Sequence, residues 1–137
     1  MLRVLIADDH AIVRKGLKEI LREASGNTQV GEASNGEEAL AQVEAGEWDV
    51  VVLDITMPGQ NGLEVLKQLK ARYPKLPVLM LSMHSGYHYV MGSLKSGASG
   101  YLNKETAPEE LIAAIHTAID GDIYVSRSLS QSLDLDL

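Results

Sequence analysis

The chain has 137 residues, 45% of them hydrophobic and 23% charged, a globular composition of a size that suits one domain. Nineteen acidic residues against twelve basic ones leave a net charge of −7, so this stretch by itself is a poor nucleic-acid binder. The absence of cysteine excludes a disulfide framework, thiolate-bound zinc and a cysteine nucleophile. No apolar run approaches the ~18 residues of a membrane span, and Asp8 and Asp9 arrive before any signal-peptide core, which predicts a cytoplasmic chain that does not enter a membrane.

In chain order, the first predicted element is an apolar run from Leu2 to Ala7. A helical stripe follows, Val13, Leu17, Ile20, Leu21 and Ala24, with apolar residues returning every three or four positions. Arg14, Lys18 and Arg22 share another face of that helix, read as a solvated face. A weaker strand runs from Val30 to Ser34, and Asn35 with Glu38 then has capping-box spacing for a second helix. Val50, Val51, Val52 and Leu53 are consecutive and mostly β-branched, as a strand buried on both faces requires. Asn61 with Glu64 opens a third helix carrying Leu63, Leu66 and Leu69. Val78 to Leu81 forms the fourth strand.

The stretch after it, Met83 to Gly92, contains Gly86 and Gly92, each costing about 1 kcal/mol inside a helix, so a helix here is expected to start late, to be mobile, or to present a Tyr/His surface to an unusual partner. Ser99 to Leu102 gives a fifth strand. Thr106 with Glu109 and Pro108 marks the start of a last helix with the stripe Ile112, Ile115 and Ile119. That helix is apolar on more than one face, which points to a second subunit or another domain packed on it. Five strand–helix units predict an open parallel α/β sheet with helices on both faces.

Ligands of such sheets bind beyond the carboxyl ends of the strands. Those ends carry Asp8 and Asp9, then Asp54, then Ser82, and after the fifth run Asn103 and Lys104. Three carboxylates gathered within a few ångströms repel by about 4 kcal/mol per pair at an effective dielectric of 20. A hard dication relieves that repulsion, and oxygen ligands favour Mg²⁺. With Mg²⁺ and Lys104 the three carboxylates are neutralised, leaving a rim suited to an incoming phosphoryl group. Asp54 ends the most buried strand and is the natural nucleophile for an acyl phosphate. His10 beside the acid pair raises the reading of a two-carboxylate, one-histidine iron site. The next side chain along is expected to point away from the cluster, which counts against that reading.

The segments ADDHAIVRKGL, VVLDITMPGQNGLEVL, LMLSMH and GASGYLNKETAPEELIAAI resemble the receiver domain of two-component response regulators, closest to those with a LuxR-type helix-turn-helix output. The resemblance runs from residue 2 to about 125 and takes every motif in order. It implies a (βα)₅ flavodoxin-like fold, strand order 2-1-3-4-5, that accepts a phosphoryl group from a sensor histidine kinase on Asp54. It also implies that Asp9, Asp54 and the backbone carbonyl of Thr56 bind Mg²⁺ directly, with Asp8 acting through water. Lys104 and Ser82 would contact the phosphoryl oxygens, and Tyr101 would report the switch. Thr56 and His84 fall at positions that tune dephosphorylation.

The resemblance implies two further things about partners. They are a homodimer through the first and last helices, and DNA binding only through an output domain that this chain lacks. Residues 1–125 would then be the receiver and 126–137 the start of a linker.

Three other functions compete for the same residues. A Mg²⁺-dependent phosphohydrolase needs a second aspartate two residues after the nucleophile, where this chain has Thr56. A flavin or nucleotide binder needs a phosphate-holding loop after the first strand, where Asp8 and Asp9 repel phosphate. A phosphorylation-independent interaction module has only the unusual stretch from Gly86 to Gly92 in its favour. The leading expectation is a phosphorylation switch and not an enzyme with turnover.

Overall fold

The computed structural model describes residues 1–83, 86–127 and 129 of the chain. Its strands are β1 (Leu2–Ala7), β2 (Thr28–Ala33), β3 (Val50–Asp54), β4 (Val78–Ser82), β5 (Gly100–Asn103) and β6 (Tyr124–Val125). The helices are α1 (Ala11–Ala24), α2 (Gly36–Ala45), α3 (Gly62–Arg72), α4 (Tyr87–Lys95) and α5 (Ala107–Ile119). All strands pair in parallel in the order β2-β1-β3-β4-β5-β6. The five-stranded order expected from the sequence is therefore kept but extended, since Tyr124 and Val125 add a sixth strand beside Gly100 and Tyr101. Two residues are too short a run for any periodicity to reveal, and their pairing depends on the edge of β5. Gly100 lets them approach, because a Cβ there would collide with the Tyr124 carbonyl oxygen.

The sheet separates two apolar cores. Leu17 and Leu21 of α1 and Leu111, Ala114, Ile115 and Ala118 of α5 pack with Val4, Ile6, Val50, Val52, Leu79, Leu81 and Leu102 on one face. Ala39, Val43, Val65, Leu66, Leu69 and Val90 from α2, α3 and α4 pack on the other. Every residue of β3 and β4 is buried, as strands covered on both faces must be.

Several local expectations change. The core face of α5 runs through Leu111, Ala114, Ile115 and Ala118, whereas Ile112 is half-buried and Ile119 exposed. Thr106 makes no side-chain cap, and its hydroxyl donates to Glu110 at 2.7 Å. Asn35 accepts from the Glu38 amide at 2.8 Å as expected, but Glu38 reaches back to the amide and hydroxyl of Ser34 at 2.9 and 3.0 Å. Asn61 accepts from the Leu63 amide at 2.7 Å. α4 starts late, at Tyr87, with Gly86 outside it as the N-cap and Gly92 inside. Among the described residues no helix is long and apolar enough to cross a membrane.

Candidate functional site

The parallel register brings the carboxyl ends of β1, β3, β4 and β5 to one rim. Asp54 is the last residue of β3 and lies opposite Leu81, while Ser82 ends β4 opposite Asn103. The Lys104 amide donates to the Ser82 carbonyl at 2.9 Å, carrying the lysine across from β5 to β4. Asp8 follows β1, and its amide donates to Ala33 of β2 at 3.0 Å. The chain leaving β3 is fixed by Gly62, whose amide donates to the Ile55 carbonyl at 2.7 Å. A Cβ on Gly62 would collide with the Asp54 carbonyl oxygen, so the start of α3 presses on the residue that ends β3.

At the centre, Lys104 Nζ stands 2.9 Å from Asp54 Oδ2 and 3.1 Å from Asp8 Oδ2. Asp8 and Asp54 are both buried, and Asp54 Oδ1 accepts from the Thr56 amide at 3.1 Å. Burial pushes the Asp54 carboxyl above its ordinary value, assisted by the charge of Asp8, while hydrogen bonds from Lys104 and the Thr56 amide oppose the rise. Burial works to lower the Lys104 ammonium, but Asp54 and Asp8 outweigh it and raise the group instead. Asp8 Oδ2 is buried, and the Lys104 ammonium is its ion-pair partner.

Asp8, Asp9, His10 and Asp54 each bring one ligand atom to within 4.8 Å of the others. This donor set, rich in carboxylate oxygen, fits a divalent cation such as Mg²⁺.

Ser82 and Tyr101 are buried beside this cluster. Burial raises the Tyr101 phenol, and its hydrogen bond with Ser82 works in the opposite direction. The Tyr101 ring thus lies inside the fold, linked to the strand-end hydroxyl next to Asp54. His84 lies outside the described residues.

Three residues differ from the expectation. His10 does not point away. Its amide donates to Asp8 Oδ1 at 2.8 Å, and this turn folds the imidazole back, with Nδ1 3.1 Å from Asp8 Oδ1 and 3.2 Å from Asp9 Oδ1. Arg14 and Lys18 are not on a solvated face: both pair with Glu32 of β2 at 3.2 Å, and Arg14 Nη1 also donates to the Asp8 carbonyl oxygen. Arg14 thereby ties the backbone of the acid pair to β2. Long side chains lean toward the N-terminus of their helix, so a cation one turn into α1 was the available signal for this contact. The sequence reading also passed over Glu110, which accepts from Thr106, Tyr124, Ser126 and the Arg127 amide at 2.7, 3.0, 2.7 and 3.1 Å.

A doubly wound parallel sheet with an acid cluster, a strand-end hydroxyl and a lysine on its carboxyl rim defines a receiver-type α/β domain. The family model described as the response regulator receiver domain matches residues 4–116, and the chain belongs to that family. It is 36% identical over 135 residues to the response regulator UvrY of Escherichia coli O6:H1, covering 98% of this chain and 62% of that protein. It is 38% identical over 134 residues to the nitrate/nitrite response regulator protein NarL of Escherichia coli K12, again covering 98% and 62%. The chain thus spans about three fifths of the length of these relatives. Among solved structures, a two-component response regulator of the LuxR family from Aurantimonas superposes with a TM-score of 0.90 at 31% identity. That match covers 96% of this chain and 94% of the other.

Proposed function

We propose that this chain is a phosphorylation switch that accepts a phosphoryl group on Asp54 from the phosphohistidine of a sensor histidine kinase. The observation that carries this reading is the Asp54 carboxylate itself. It is buried at the end of β3, held by Lys104 at 2.9 Å and by the Thr56 amide at 3.1 Å, and it borders two more aspartates. An Asp54 oxygen attacks phosphorus, the bond from phosphorus to the donor nitrogen breaks with its electron pair passing to the donor imidazole, and the acyl phosphate forms on Asp54. Lys104 is placed to leave its ion pairs with the carboxylates and meet the new phosphoryl oxygens. Ser82, on the neighbouring strand end, supplies a hydroxyl donor to the same oxygens. Its link to Tyr101 passes the change into β5.

Asp9, Asp54 and the Thr56 carbonyl would hold Mg²⁺, with Asp8 behind them through water. When bound, the ion supplies charge neutralisation for the equatorial oxygens. The Thr56 side chain and His84 would set the lifetime of the phosphorylated state. The output would be transcription, through a DNA-binding domain that is not in this sequence, and action in the cytoplasm goes with that reading. Pairing of two copies through α1 and α5 belongs to the same reading, supported by the exposed Ile119.

Intact-mass measurement after incubation with acetyl phosphate tests the proposal. One phosphoryl adduct is expected in the presence of Mg²⁺ and none after chelation. Asp54→Asn should abolish the adduct, and persistent labelling of that variant would overturn the assignment.

A further inference from the structure

We propose that Ser126 is a positioning residue that holds the Lys104 loop in its resting place, and that phosphorylation of Asp54 loosens it together with Arg127 and Leu129. The inference rests on the reading of Asp54 as the phosphoacceptor.

The first observation is how Ser126 ends the sheet. In a continued parallel ladder, the residue after Val125 would donate its amide to Tyr101 and accept the Asn103 amide on its carbonyl. The Ser126 amide does donate to the Tyr101 carbonyl at 3.0 Å, but the Asn103 amide donates to Ser126 Oγ, also at 3.0 Å. The hydroxyl stands in for the carbonyl, which instead accepts from the Leu129 amide at 2.9 Å. Ser126 is fully buried, so alanine there would take this acceptor from the Asn103 amide. The chain thus turns away from β6 without giving up its hold on β5.

The second is a clamp on both ends of the loop that carries Lys104. Asn103 is held by Ser126, whose hydroxyl donates to Glu110 Oε2 at 2.7 Å. Thr106, on the far side of Lys104 and Glu105, donates to the same Oε2 at 2.7 Å. Glu110 Oε1 accepts from the Tyr124 hydroxyl at 3.0 Å and the Arg127 amide at 3.1 Å. One carboxylate therefore joins the Lys104 loop to the chain beyond β6. Neither shifts without straining the hydrogen bonds of the other.

The third sets the direction. Lys104 Nζ is drawn in between Asp54 and Asp8, at 2.9 and 3.1 Å. A phosphoryl group on Asp54 puts its oxygens beyond the carboxylate oxygen that Lys104 meets, so the ammonium and its loop are pulled to a new position. The same oxygens recruit the Ser82 hydroxyl, which in the resting fold is hydrogen-bonded to Tyr101. Leu129 is 2% exposed and packs in the apolar core that also holds Tyr101, so its seat is disturbed as well. The hydrogen bonds at Ser126 thus belong to the resting state. Linkage makes the effect reciprocal: loosening Ser126 favours the phosphorylated form.

The test uses the full chain, labelled with ¹⁵N, and beryllofluoride with Mg²⁺ as a mimic of the acyl phosphate. When the wild type binds the mimic, amide hydrogen exchange should quicken about 10-fold or more at Asn103, Arg127 and Leu129, with Val51 of β3 unchanged. Asp54→Asn should show no such change. Ser126→Ala, checked for folding by circular dichroism, should bind the mimic about 3- to 10-fold more tightly than wild type. Damage to the fold alone would weaken binding instead. The wild-type exchange measurement decides the matter even where that variant does not fold. Unchanged or slower exchange at those amides in the bound wild type, or equal or weaker binding by folded Ser126→Ala, would overturn the Ser126 assignment and leave Asp54 as the phosphoacceptor. Failure of the wild type to bind the mimic, together with no adduct from acetyl phosphate, would overturn the phosphoacceptor reading and this inference with it.

Discussion

Lys104 sits between two buried carboxylates with only 8% of its own side chain exposed. Removing one partner of such a group leaves uncompensated charge, which in a closed interior costs about 3–5 kcal/mol. The rim opens to water at Asp9 and His10, so Lys104→Met should destabilise the metal-free protein by a smaller amount, about 2–3 kcal/mol. Mg²⁺ should recover more of the variant's stability than it adds to the wild type, because the ion replaces the missing cation. Urea unfolding with and without Mg²⁺ checks both statements. At this scale the acid pair, Asp54, Ser82 and Lys104 were legible because each ends or follows an apolar run. His10 was not, because period-two alternation describes a strand, and the Asx turn at Asp8 replaces the strand there.

At the scale of elements, the carboxylate of Glu110 ties α5 to the segment after it, and Ser126 Oγ in turn accepts from the Asn103 amide at 3.0 Å, next to Lys104. Burial acts to raise the Glu110 carboxyl, but hydrogen bonds from Ser126, Thr106, the Arg127 amide and Tyr124 lower it below the ordinary value of 4.5. A lowered folded-state value means that the stabilisation is present above the unfolded value and is lost as pH falls through the folded one. Glu110→Gln should therefore cost about 1–2 kcal/mol near neutral pH, with part of the network retained by the amide. The gap to wild type should close as the pH drops below 4.5, which urea midpoints measured across pH would show. The i, i+4 spacing of Thr106 and Glu110 carries one of these four hydrogen bonds. The other three come from residues 124–127, which β6 and the close approach at Gly100 bring beside α5.

For the whole molecule, stability and ion binding are linked, since a cation that binds only the folded state stabilises it by mass action. At about 100 times its dissociation constant that amounts to ~2.7 kcal/mol. For a chain of this size the melting temperature should then rise by roughly 5–15 °C on saturation with Mg²⁺. Asp9 is the exposed carboxylate of the cluster, so the stability of Asp9→Asn should lie within about 1 kcal/mol of wild type without metal. The same variant should lose most of the Mg²⁺-dependent shift. Differential scanning calorimetry with MgCl₂ and with EDTA separates the two effects.

The sequence by itself determined the alternation of strands and helices, the central place of β3 and β4 and the residues that reach the carboxyl rim. Runs of Val and Leu buried on both faces are dictated by composition along the chain, and the polar residues just past each run are dictated by order. The tertiary structure alone decided which way His10 turns and which partner Arg14 takes across to β2. It also decided which face of α5 meets the sheet and that two residues after α5 form a sixth strand. Those outcomes depend on groups far apart in the chain meeting at fixed distances, and no local period encodes such a meeting.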